Sequence, residues 1–349
     1  MNTITREQAI AGSPDDKYRY LDDLFFPHPA LTAVTTAVRR AMTPSSGIIL
    51  VVGPTGVGKS TFAKKFLETL LAQYRSELEE DPSIIPAAMF TIPPHDSARE
   101  FNFVLFYQRG CIALCAPCPT RDAKAPLIGY DEERSTRCIF ENALQYRKVR
   151  HLFLDEIAHF TQSNTEAVMY GNLLKGLADR AGMNVLLLGA YGSEEIIDST
   201  GQLARRILPV PFERYHDTPD ERQAFAQVVK SYAAKIPLAE PPDLKPHIRE
   251  LFTASCGVFG TAASIIKNSV RLCAIDGGRW KYEHLREASP SEESQKIIGN
   301  EITAGEEKLR TYLRSRQPLQ YKTEADFKAD FIKGVAQRKQ PKNGRGGAR

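Results

Sequence analysis

No apolar run in this chain comes near the roughly 18 residues that a membrane-spanning helix requires. The first residues, Met1-Asn2-Thr3-Ile4-Thr5-Arg6-Glu7, are polar and hold no signal-peptide core. The expectation is a cytoplasmic protein with no membrane partner. Only six cysteines and one tryptophan occur in 349 residues. In that compartment the cysteines are expected to be reduced or metal-bound rather than disulfide-paired. No internal repeat is present. Nor is there a large charge excess: the net charge is +4, with 25% charged and 42% hydrophobic residues, ordinary for a globular chain with a substantial core. At the end of the sequence, Lys333 to Arg349 carries six Lys/Arg and no Asp or Glu. That Gly- and Gln-rich stretch is predicted to be a disordered basic tail. Nucleic acid or an acidic protein surface would suit it, and a purely solvated tail is the plainer alternative.

What is present begins with Gly53-Pro54-Thr55-Gly56-Val57-Gly58-Lys59-Ser60. It fits G-x-x-x-x-G-K-[ST], follows the apolar run Ile48–Val52 and precedes an amphipathic run from Thr61. The spacing predicts a strand, a phosphate loop and a helix. Glycines reach φ > 0 without steric cost, so backbone N–H groups can turn inward around phosphate oxygens. The helix N-terminus adds partial positive charge. Gly53 to Thr61 are thus the expected ATP-binding residues, with Lys59 reaching the β/γ-phosphates and Ser60 ligating Mg²⁺.

Periodicity predicts a helix over Pro29–Met42, strands at Ile48–Val52, Ala87–Ile92, Val149–Leu154, Val185–Leu188 and Ile207–Phe212, and helices between them. These helices are expected at Thr61 to about Leu78, Ala98–Leu114, Ser135–Tyr146, Thr165–Ala181 and Gly201–Arg206. Continuous apolar strands alternating with helices imply an α/β core with a parallel five-stranded sheet. Beyond Tyr215 the pattern turns helical, at 219–235, 243–255, 260–276 and 291–316. The expected organisation is an N-terminal arm and helix (1–45), an α/β nucleotide-binding core (46–215), a helical lid (216–320) and the basic tail (321–349).

The third strand ends in Asp155-Glu156. In a P-loop NTPase an aspartate there orients the Mg²⁺ shell opposite Ser60. The adjacent Glu156 is the expected catalytic base for the attacking water, which favours hydrolysis over phosphotransfer to a small molecule. The fourth strand runs into Gly189-Ala190-Tyr191-Gly192-Ser193, where a polar γ-phosphate sensor is expected. Ala190 cannot serve, which leaves Tyr191, Ser193 or nothing. Arg205 and Arg206 are candidates for an arginine finger donated across a subunit interface, Arg206 ahead of Arg205.

Together these residues resemble an AAA+ ATPase. The segments Thr165–Ala178, Asn184–Gly189, Gln202–Arg206, Ile236-Pro237-Leu238 and Gly257-Val258-Phe259-Gly260 resemble the TnsC/TniB family of transposition-regulator ATPases over residues 25–280. The resemblance implies slow, regulatory ATP hydrolysis with Mg²⁺ and assembly as rings or helical filaments on double-stranded DNA. It also implies transposase partners and a target selector, an RNA-guided complex in the CRISPR-associated branch. The chain departs from the AAA+ pattern at Ala190, and at Thr261, where many lids carry a phosphate-sensing arginine.

Arg99, Arg121, Lys124, Arg134 and Arg137 are the expected DNA-phosphate contacts, because ring pores present basic residues between the second and third strands. Cys111, Cys115, Cys118 and Cys138 could hold zinc. Their spacing is not a doubled C-x-x-C, however, and Cys111 and Cys115 share an apolar helix face, which favours a packing role. A helicase loader and a P-loop small-molecule kinase are the competing readings. The first would need a helicase-binding segment within the short arm, and Glu156 counts against the second.

Overall fold

A computed structural model describes residues 4–44, 46–94, 101–117, 132–160, 167–198 and 206–314. The chain divides into two units, Met1–Glu307 and Lys308–Arg349. Of the second, only the end of one helix is described. The tail at 321–349 lies outside the described residues.

Two short helices, α1 (Arg6–Ala11) and α2 (Pro14–Asp22), precede α3 (Pro29–Ala41). The first two were not anticipated. Each starts on a capping box, Thr5 with Gln8 and Ser13 with Asp16. The buried Lys17 donates to the carbonyls of Ala9, Ile10 and Gly12, at 2.8–3.1 Å, and so caps the end of α1. Strand β1 (Gly47–Val52) leads to α4 (Lys59–Gln73) and α5 (Arg75–Glu80). The single helix expected to Leu78 is broken at Tyr74. Its hydroxyl is tied to His151 Nε2 at 2.8 Å, and Arg150 lies over its ring. This tertiary anchor overrides the helical pattern.

Then come β2 (Ala87–Thr91), α6 (Phe103–Ala113), α7 (Glu132–Tyr146), β3 (His151–Asp155), a 3₁₀ turn (Ile157–Phe160), α8 (Ala167–Ala181) and β4 (Asn184–Gly189). Helix α9 (Glu195–Asp198) precedes β5 (Ile207–Pro211). The short helix expected at 201–206 falls outside the described residues except for Arg206, which sits in a turn. The remainder is helical: α10 (Pro219–Ala233), a 3₁₀ turn at Lys245–His247, α11 (Ile248–Ala254), α12 (Phe259–Ile275), α13 (Tyr282–Ala288) and α14 (Glu292–Arg314). Helix α13 was also unanticipated. Among the described residues no helix is long and apolar enough to cross a membrane.

The sheet is parallel throughout, in the order β2-β3-β4-β1-β5. Strands β3 and β4 are buried along their whole length, as a sheet covered on both faces demands. Pro209 and Pro211 are tolerated because β5, among the described residues, pairs with β1 alone and forms an edge. One core packs α3 and α4 on the sheet through Val34, Val38, Phe62 and Phe66. A second joins the lid helices and α2 through Leu21, Phe225, Tyr232, Ile266 and Val270. Between α2 and α3 the chain alternates: Leu24 and Phe26 pack on the lid core, Phe25 on the sheet core. The carboxyl ends of β1, β3 and β4 thus open toward the lid, where ligand crevices of such sheets form.

Candidate nucleotide-binding site

The loop after β1 takes the conformation its glycines allow. Gly56 has φ 81° and Gly58 φ 105°, both in the left-handed region. The loop is held from two sides. Gly53 donates its N–H to the Gly189 carbonyl at 3.3 Å, and a Cβ on Gly53 would fall 2.3 Å from the Phe212 carbonyl oxygen. The first turn of α12 abuts the loop, since a Cβ on Gly260 would lie 2.0 Å from the Gly56 carbonyl oxygen. Lys59 Nζ donates to the Gly53 and Pro54 carbonyls, both at 2.9 Å. Burial pulls its pKa down to about 8, while the nearby Glu156 and Asp155 carboxylates pull the other way. The ammonium is therefore poorly solvated and ready for an anionic partner.

Asp155 ends β3, buried, and its Oδ1 accepts the Glu156 N–H at 2.9 Å. Glu156 itself has φ 62°, unusual for a side-chain-bearing residue. Such a conformation costs on the order of 1–3 kcal/mol and persists where the surroundings enforce it. Here it turns the strand end so that Glu156 lines the cleft with Lys59 and Ser60. A hydroxyl and a carboxylate form an oxygen donor set, the chemistry Mg²⁺ takes. Ser60 and Asp155 fit that ion on this ground.

From the end of β4, Ala190 is the residue that lines the cleft. Tyr191 packs into the sheet core, its ring where a Cβ on Gly305 of α14 would fall. Ser193 is fully buried, and its Oγ has no hydrogen-bond partner among the described residues. Neither is among the cleft-lining residues. Thr261 carries no cation, and its Oγ1 stands 2.9 Å from where a Gly56 Cβ would be. The cleft encloses about 390 Å³. Its second wall was not foreseen: Leu21, Asp22, Phe26 and His28 from the arm, with Tyr232, Phe259 and Lys267 from the lid. His28 accepts from the Leu31 N–H and lies 3.0 Å from the Tyr215 hydroxyl, and burial lowers its pKa to about 4.

The remaining candidates lie elsewhere. Arg206 is exposed and ion-paired with Asp179 of α8. Arg134 and Arg137 are exposed on α7, where Arg137 pairs with Glu141 at 2.8 Å. Arg99, Arg121, Lys124, Arg205 and Cys118 lie outside the described residues. Cys111 is buried in the core, whereas Cys115 and Cys138 are exposed. Among the described residues no three His, Cys, Asp or Glu side chains are placed to hold a metal, and nothing in this arrangement supports zinc.

Residues 43–197 match the AAA domain family. The fold is that of AAA+ P-loop NTPases, with the five-stranded parallel sheet at its centre. Similar solved structures include the Aeropyrum pernix Orc1 protein in complex with DNA, at 14% identity and a TM-score of 0.51, covering 77% of this chain and 66% of that one. The Cdc6p structure from Pyrobaculum aerophilum is similar at 14% identity and a TM-score of 0.50, covering 77% of this chain and 69% of that one. This chain thus spans just under two thirds of the length of the Orc1 chain. No curated protein matches in sequence.

Proposed function

We propose that this chain is a Mg²⁺-dependent AAA+ ATPase that assembles on double-stranded DNA in its ATP state and links a target-site selector to a transposase. The observation that carries the ATPase reading is the meeting of the Lys59 loop with Glu156 in one cleft beneath the first turn of α12. Lys59 exchanges its two loop carbonyls for phosphate oxygens. Ser60 and Asp155 would hold Mg²⁺, which would screen the polyphosphate charge. Glu156 takes the proton of the attacking water. With Ala190 in place of a polar sensor and Thr261 in place of a lid arginine, transition-state charge has fewer donors to meet it. Hydrolysis is then slow, and nucleotide acts chiefly as an assembly switch.

DNA as a partner is supported by the similar Orc1 structure, which was solved with DNA, and by Arg134 and Arg137 exposed on one helix. Arg206 at the surface, held by Asp179, suits a finger presented to a neighbouring copy. The transposition role rests on the TnsC/TniB-like segments at 165–178, 184–189, 202–206, 236–238 and 257–260. The test is electron microscopy of Glu156→Gln on duplex DNA with ATP. Rings or filaments that persist in the variant and dissolve when ATP is withdrawn are expected. Failure of wild type and variant alike to assemble on DNA overturns the proposal.

A further inference from the structure

The two ends of the cleft differ chemically. The loop and Glu156 define a phosphate end. From there α12 lines the cleft with Gly260, Ala263, Ser264 and Lys267, one helix face at i, i+3, i+4 and i+7. At 1.5 Å per residue Lys267 stands about 10 Å beyond Gly260, at the far end, where a base would lie. Leu21, Phe26 and Tyr232 supply apolar lining to the same cleft. His28 is neutral there with Nδ1 engaged, and the Ser264 hydroxyl donates to the Gly260 carbonyl. The charged side chains among the described residues at this end are Asp22 and Lys267, paired with each other. The Lys267 side chain is only 12% exposed, against 58% for Asp22, and its Nζ also lies 5.2 Å from the Tyr18 ring centroid.

Docking of the arm does not require this pair. Arg271 and Asp15 form a second arm–lid bridge at 2.9 Å, and Leu21 is buried in the lid core. What sets Asp22 and Lys267 apart is their place in the cleft wall. Resting on the ATP reading above, we propose that this pair selects adenine by reading the 6-position edge of the purine. Asp22, acceptor-only, takes a hydrogen bond from the 6-amino group. Lys267, donor-only with N–H groups to spare, donates to the adjacent ring nitrogen. A 6-oxo purine reverses both partners, setting oxygen against carboxylate and N–H against ammonium.

The experiment is competition against a fluorescent ATP analogue with the full chain, using ATP, inosine triphosphate and purine riboside triphosphate, which carries hydrogen at position 6. Wild type is expected to bind ATP at least about tenfold more tightly than either competitor, as sites built around a polar substrate group do. Asp22→Ala narrows the preference over purine riboside triphosphate to about twofold or less, and Asp22→Ala and Lys267→Met each narrow the preference over inosine triphosphate. Asp15→Ala breaks the arm–lid bridge outside the cleft and leaves the ratios as in wild type. Equal weakening of all three nucleotides by Asp22→Ala, with the ratios intact, makes the pair a docking contact and overturns the assignment. Equal binding of the three by wild type also overturns it. Wild type that binds no nucleotide overturns the ATP reading itself, and the assignment with it.

Discussion

Replacing Gly260 by alanine tests whether α12 seats the phosphate loop. The added Cβ would lie 2.0 Å from the Gly56 carbonyl oxygen and 3.2 Å from its carbon. Carbon–oxygen contacts start at about 3.3 Å, so the two backbones must part by about 1.3 Å. Both obstructing atoms are main chain, and no rotamer change relieves them. Gly260 does not have positive φ, so alanine is locally acceptable and favours the helix by up to about 1 kcal/mol. Overpacking opposes this by about 1–3 kcal/mol, which leaves a small net loss of stability. The effect on turnover is larger, because misplacing a positioning group by about 1 Å costs on the order of 100-fold in rate. Steady-state phosphate release should show that loss, while thermal melting falls by only a few degrees. Gly58→Ala is the contrast: nothing lies within 4 Å of its Cβ, but its φ of 105° is unfavourable for alanine, at a cost of about 1–2 kcal/mol. Wild-type turnover in Gly260→Ala with an unchanged melting temperature would refute the contact between α12 and the loop.

Lys59→Ala should lose ATP binding and, with it, ATP-dependent assembly on DNA; retention of ATP-dependent assembly would show that the site is elsewhere. Glu156→Gln should retain ATP binding and lose phosphate release by about 10²–10⁴-fold, the range of general-base catalysis, and unchanged steady-state turnover would remove it from that role. Because burial holds Lys59 near a pKa of about 8, the group is charged below that pH and loses its proton above it. A polyanion binds the charged form, so ATP affinity should be level from pH 6.5 to 7.5 and fall above 8, by at most about tenfold per unit; affinity that rises with pH reverses the sign and the argument. Binding to duplex DNA should weaken steeply with salt at any sequence, with log K falling linearly in log salt concentration, and a strong preference for one duplex at fixed salt would count against backbone contact.

The parts read most directly from the sequence were local. The phosphate loop needs eight consecutive residues, and each strand announces itself as an apolar run, so the sheet and Asp155-Glu156 were legible. The break at Tyr74 was not, because its cause, His151, is far away in sequence. Helices α1 and α2 are too short for periodicity, although their capping boxes are local signals. The second wall of the cleft was missed because it joins residues 21–31 to residues 232–267, a pairing no local pattern records. The sensor position shows the limit of analogy. Tyr191 has the right chemistry, but the sheet core holds its ring, and Ala190 takes the place beside the cleft.

The arm's dependence on the lid also has a consequence for biosynthesis. Leu21, Leu24 and Phe26 leave the ribosome before the helices that cover them, α10 and α12, which end at Ala233 and Ile275. At about 5–20 residues per second, the arm waits on the order of 10–50 seconds for its partners. During that interval its capped helices have no lid to pack on, and Leu24 and Phe26 lack the lid residues that cover them. A nascent chain of this protein therefore completes its nucleotide cleft only after α12 has been made.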